Sequence, residues 1–149
     1  MTNTVERANG VTDDTPEMNS HEVRFDLNVT PEQLGRIRRI ITAHVRCWGQ
    51  EQIIDQAVMC ATEMLSNVER HVESSDCVLI LRSSPSGVRI AVSDDSQELP
   101  VVREPDWCSE RGRGMWLLSK TAVAWGADLT DQGKDVWVEL QASAKGAVV

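Results

Sequence analysis

The sequence predicts an α/β two-layer sandwich, in which a mixed, largely antiparallel sheet carries its helices on one face. Three observations predict it. The elements read in the order β-α-α-β-β-loop-α-β-β. Strands follow one another in pairs with no helix between them, which a doubly wound parallel sheet does not allow. Two long apolar stripes at helical spacing separate the first strand from the second.

Val23, Phe25 and Leu27 alternate with Glu22, Arg24 and Asp26, the pattern of a half-buried strand. Thr30-Pro31-Glu32-Gln33 then reads as a helix start. Thr30 is suited to cap, Pro31 to the first helical position, and Gln33 to reach back as in a capping box. Leu34, Ile37, Ile40, Ile41 and Val45 carry this helix to about Cys47, where Trp48-Gly49 ends it. A second helix places Ile54, Ala57, Val58, Ala61, Leu65, Val68 and Val72 on one stripe, over roughly six turns. Cys77 to Leu81 suits a central strand, the residues from Ser83 to Gly87 a turn, and Val88, Ile90 and Val92 the next strand. From Ser93 to Arg113 the sequence has no periodicity and contains Pro100, Pro105 and Gly112. Loops of that length inside a compact domain are uncommon and often functional. A third helix begins near Gly114 with Met115, Leu118 and Val123. A hairpin closes the chain, Ala127 to Thr130 and Val136 to Leu140 about a turn from Asp131 to Lys134.

The 149 residues are read as one domain over 21–141, with a disordered tail at 1–20 and a flexible one at 142–149. The hydrophobic fraction of 41% is that of an ordinary globular protein, so a core large enough to fold without disulfides is expected. A net charge of −8 disfavours direct binding to nucleic acid or to anionic membranes, and suits basic protein partners. Cys47, Cys60, Cys77 and Cys108 form no CxxC pair, so neither a zinc site nor a disulfide framework is expected. The start at Met1 to Glu6 lacks the basic and apolar stretches of a signal peptide, and no apolar run approaches the ~20 residues of a membrane helix. A cytoplasmic location with reduced thiols is the expectation.

Three pieces of sequence can carry chemistry. Glu63 and Asn67 are four apart and stack on one helix face, which the periodicity sets nearly opposite the apolar stripe. Such a face is solvated unless something covers it, and the long loop after Val92 is the candidate cover. Asp94 follows a buried strand, where a carboxylate can accept a hydrogen bond from an exocyclic amine. Gly112-Arg113-Gly114 opens a helix, where backbone N–H groups and the helix dipole suit phosphate.

In this order and spacing, the three pieces resemble the GHKL ATPases of Bergerat fold, which include histidine kinases, gyrase-type ATPases and Hsp90. Within that group, Glu63-Met64-Leu65-Ser66-Asn67-Val68-Glu69-Arg70-His71 resembles the helix motif of bacterial anti-sigma-factor serine kinases. Gly112-Arg113-Gly114-Met115-Trp116-Leu117-Leu118, followed by Trp125-Gly126, resembles their actinobacterial branch. The resemblance spans roughly residues 22–141.

The resemblance implies ATP and Mg²⁺ as ligands, with Asn67 holding the metal and hence the phosphates. It implies Glu63 as the general base toward an attacking hydroxyl, and Asp94 as the acceptor for the adenine amino group. Gly112, Arg113 and Gly114 would line the phosphates. Arg70 and His71 match the motif in position; Arg70 reads equally as a contact to partner or lid and as a plain surface arginine, and His71 as packing rather than catalysis. Implied partners are an RNA polymerase sigma factor, an anti-anti-sigma protein of STAS type and a second copy in a homodimer. The implied role is an anti-sigma factor that also phosphorylates a serine of its antagonist. Two departures stand out. The family's Asp-x-Gly is Asp94-Asp95-Ser96 here, and its closing Gly-x-Thr is Gly133-Lys134-Asp135, which would set the Asp135 carboxylate against Asp94 across the adenine pocket. These favour a second reading, a binding module that sequesters its sigma factor without turnover. A free-standing histidine-kinase ATPase domain fits less well, since no helix pair with a phospho-acceptor His is seen. Trp125 and Trp137 are expected in the core; Trp107 and Trp116 flank the lid loop, where an exposed Trp is as readily a plain loop residue as a partner anchor. His21 and His44 carry no signal.

Overall fold

The computed structural model describes residues 21–102 and 113–142, so the tails (apart from Ala142) and the centre of the long loop, with Trp107, Cys108 and Gly112, lie outside the described residues. The elements are β1 (His21–Asn28), α1 (Pro31–Cys47), a 3₁₀ turn (Glu51–Ile53), α2 (Ile54–His71), β2 (Asp76–Ser84), β3 (Gly87–Asp94), α3 (Arg113–Thr121), β4 (Ala124–Thr130) and β5 (Gly133–Gln141). The strands lie in the order β1-β2-β3-β5-β4, and every neighbouring pair is antiparallel. The sheet is therefore antiparallel throughout, not mixed. Two-residue turns at Pro85-Ser86 and Asp131-Gln132 join β2 to β3 and β4 to β5, and such turns can join only antiparallel strands.

Strand alternation divides the sheet into two faces. Leu79, Leu81, Val88, Ile90, Val92, Val136, Val138 and Leu140 are buried and form one core cluster with the three helices. Those helices contribute Ile37, Ile41 and Val45 from α1, the inner stripe of α2, and Met115 and Leu118 from α3. Residues of the other parity, among them Arg82, Arg89, Ser93 and Asp135, line a broad polar depression on the open face.

Local chemistry explains most element boundaries. Pro31 takes the first helical position of α1, but Thr30 makes no side-chain cap; its carbonyl accepts from Gln33 N at 3.0 Å instead. At the other end Gly49 adopts φ +78, and its N–H and that of Gln50 donate to the carbonyls of Arg46 (2.9 Å) and Val45 (3.0 Å). That paired closure needs a residue in the left-handed region, which glycine reaches without strain. In α2 the buried stripe is Ala57, Cys60, Ala61, Met64, Leu65 and Val68, so Cys60 and Met64 belong to it while Ile54 and Val58 lie at its edge. The helix stops at His71, because Val72 is already extended.

The closing hairpin is tighter than the sequence suggested, since β4 begins at Ala124 and β5 at Gly133. Val123 lies past the end of α3 and is 56% exposed. Trp125 packs against the core, as expected, but Trp137 lies on the open face. There Arg89 stacks 4.5 Å from its ring and its Nε1 donates to Asp128 at 3.2 Å. Gly126 leaves room for this indole, for a Cβ there would meet Trp137 Cζ2 at 2.6 Å.

Candidate functional site

Glu63 and Asn67 sit one turn apart on α2, and both are half-buried rather than set on a solvated face. Among the described residues, the cover on Glu63 comes from the first turn of α3. A Cβ on Gly114 would overlap the Glu63 carboxyl group and come within 2.7 Å of its Cγ, so glycine here leaves room for the Glu63 side chain in this position. The second glycine of Gly112-Arg113-Gly114 thus lies against Glu63. Arg113 opens α3, its side chain lying outside the described residues, and Gly112 lies outside them altogether.

Asn67 presents its side-chain carbonyl near the surface, where Arg70 Nη2 donates to Oδ1 at 2.9 Å. Arg70 is therefore a neighbour of Asn67, three residues along the same helix. His71 is exposed and does not pack, contrary to expectation.

Asp94 closes β3 on the helix-covered face. Lys134 Nζ donates to its Oδ1 at 2.9 Å, and Ser96 N donates to the same oxygen at 2.9 Å. The two charged side chains are only 2% and 8% exposed. Both bonds fall on Oδ1, and Oδ2 is the oxygen left to accept from a ligand's amine. Ser96, which stands where the related motif has glycine, is held in this turn by the bond to Asp94.

Asp135 does not face Asp94. The β3–β5 register sets Asp94 opposite Lys134 and Ser93 opposite Asp135, so Asp135 projects to the open face and accepts from Ser93 Oγ at 2.5 Å. The expected repulsion between two acids is replaced by an ion pair. Lys134 is the site residue that motif matching missed. The signal was present in the sequence: counting back by twos from the apolar Leu140, Val138 and Val136 arrives at Lys134 on the inner face. A Cβ on Gly133 would collide with the Asp94 carbonyl and reach 2.6 Å from Asp95 Cα, so this glycine lets the start of β5 close upon the end of β3.

Two thiols flank these acids from the core. Cys77 pairs with Asp94 across the β2–β3 ladder, and Cys60 lies one turn before Glu63 on α2. Burial, and then the Asp94 and Asp76 charges, push the Cys77 thiol up to about 12. Burial, and then Glu63, do the same for Cys60, also to about 12.

A family model described as a histidine kinase-like ATPase domain matches residues 27–140. The chain belongs to that family. No curated protein matches it. The match begins at the end of β1 and runs to the penultimate residue of β5, so it takes in the α2–α3 contact and the Asp94–Lys134 pair together.

For a histidine kinase-like ATPase domain the suggested ligand is ATP, typically with Mg²⁺. The side chains fit such a ligand. Asn67 offers one hard oxygen, Oδ1, which it shares with Arg70. Among the described residues no group of three or more His, Cys, Asp or Glu could hold a metal. An ion carried in by phosphate oxygens and waters needs only one or two protein ligands. Asp94 Oδ2 suits an amine, and the Lys134 ammonium beside it suits a ring acceptor. Among the described residues no helix is long and apolar enough to cross a membrane.

Proposed function

We propose that the protein is an anti-sigma factor that sequesters an RNA polymerase sigma factor, binds ATP with Mg²⁺, and phosphorylates a serine of an anti-anti-sigma antagonist of STAS type. The observation that carries this reading is the packing of Glu63 against Gly114. A carboxylate held at the meeting of two helices, one turn from the Asn67 oxygen, supports the reading of Glu63 as a base beside a phosphoryl donor.

ATP·Mg²⁺ supplies the γ-phosphoryl group. Asn67 would hold the ion, Asp94 Oδ2 would accept from the base amine, and Gly112, Arg113 and Gly114 would line the phosphates. Glu63 takes the proton of the serine hydroxyl as its oxygen bonds to the γ-phosphorus and the bond to the bridging oxygen breaks, leaving ADP. A second reading, sequestration without turnover, is favoured by one observation: Arg70 already donates to Asn67 Oδ1, the oxygen that Mg²⁺ would need.

Radiolabel transfer from ATP to the antagonist, measured beside capture of the sigma factor, tests both readings. For the kinase reading, Glu63→Ala loses transfer by about 10²–10⁴-fold, the usual contribution of a general base, and still captures the sigma factor. No transfer by the wild type, with sigma still captured, supports the binding module. Failure to capture a sigma factor overturns both while leaving the family standing.

A further inference from the structure

A groove of about 710 Å³ runs between α1 and α2 on the side away from the sheet. Its floor is Ile54, Val58 and Met59 of α2, half-buried side chains that pack against the core on one side and leave apolar surface open to the groove on the other. Its α1 wall is Arg38, Arg39 and Arg46, all exposed, while the α2 side carries two acids, Asp55 near one end and Glu63 at the other.

The charge of this wall is out of keeping with the rest of the molecule. The chain carries −8 overall, yet α1 holds Arg36, Arg38, Arg39 and Arg46 against a single acid, Glu32. Among the described residues Arg38 and Arg39 have no ion-pair partner, and Arg46 reaches Glu51 only at 4.0 Å. Like charges gathered on one helix face repel one another and are favourable only when an opposite charge meets them. A nucleic acid or an anionic membrane would meet the negative field of the whole chain, so the complement is a compact acidic surface on a protein.

We propose that this groove is the docking surface for an acidic amphipathic helix of a partner protein. Two adjacent helices present ridges and a furrow that accept a third helix, and the furrow from Ile54 to Glu63 is about 14 Å long, or two to three turns. Apolar side chains of the incoming helix fill the floor over Ile54, Val58 and Met59, while its carboxylates at helical spacing meet Arg38, Arg39 and Arg46. The assignment goes beyond the proposed regulatory role and needs neither ATP nor transfer. Its connection to that role is spatial, since a helix laid in the groove ends beside Glu63.

Two fluorescein-labelled synthetic helices of identical leucine stripe test it, one with Glu and one with Lys at the remaining positions. Anisotropy should show the Glu helix binding the full chain, with affinity reduced about tenfold or more by Arg38→Glu/Arg39→Glu and by half-molar salt. The Lys helix should not bind. Methyl NMR should place the perturbation at Met59, Ile54 and Val58, and Val58→Lys should weaken binding while circular dichroism stays unchanged. No binding of the Glu helix, binding indifferent to the arginine substitutions, or perturbations confined to the open sheet face would each overturn the assignment. These readouts are independent of the Glu63→Ala transfer assay, so one reading can fail without the other.

Discussion

Lys134 stands directly opposite Asp94 across the β3–β5 ladder, and their side chains close a buried ion pair at 2.9 Å. Removing one member of a buried pair leaves an uncompensated charge, which costs more than the pair itself contributes. Lys134→Met should therefore lower the stability of the fold by about 3–5 kcal/mol, read from urea unfolding. The double variant Asp94→Asn/Lys134→Met should recover most of that loss. A single variant as stable as the wild type would show that water reaches the pair.

Gly114→Ala should separate position from stability. The added methyl meets the end of a flexible side chain, so Glu63 can swing aside, and alanine within a helix gains about 0.5–1 kcal/mol over glycine. Thermal unfolding should change little. Transfer should fall as far as it does in Glu63→Ala, and the double variant should be no worse than either alone. Additive losses would mean that the two residues act separately.

Asn67→Ala should weaken nucleotide binding in a way that depends on Mg²⁺. Calorimetry with ATP should show a metal-dependent gain in affinity for the wild type that the variant lacks. Equal gains in both proteins would remove Asn67 from the metal site.

The two buried thiols predict an alkaline limit. Their folded values lie near 12 against an ordinary 9.0, so the native state keeps protons that the unfolded chain has released. Their contribution is intact below pH 9 and is lost as pH rises from 9 toward 12. Urea midpoints should fall across that window, and fall less in Cys60→Ala/Cys77→Ala measured against its own neutral-pH value. At pH 8 a thiol reagent should modify exposed Cys47 and leave Cys60 and Cys77 unmodified until the protein unfolds.

The sheet and its three helices were legible because their apolar periods are long and regular. Gly49 ends α1 where the sequence placed the break, while the α2 reading left Cys60 and Met64 out of the stripe and ran it on to Val72, which is already extended. The errors at the site have a common origin in register. Taking Asp131 to Lys134 as a four-residue turn left Asp135 unassigned to a face, and motif matching then set it against Asp94. Alternation alone would have exchanged it for Lys134. Trp137 went wrong for the same reason, since bulk suggested the core and parity assigns it to the open face. The contact between Glu63 and Gly114 was beyond reach, because it depends on how two helices distant in sequence come together.

The sheet described above ends in β1 on one side and β4 on the other, and the two outer strands are not equally guarded. An outer strand leaves a row of backbone donors and acceptors free to pair with another chain unless charge discourages the approach. β1 carries Glu22, Arg24 and Asp26 in alternation, whereas β4 offers Asp128 alone beside Leu129, which is 56% exposed. Self-association of concentrated or partly unfolded protein should therefore begin along β4, and a lysine in place of Leu129 would be the change that keeps the chain dispersed.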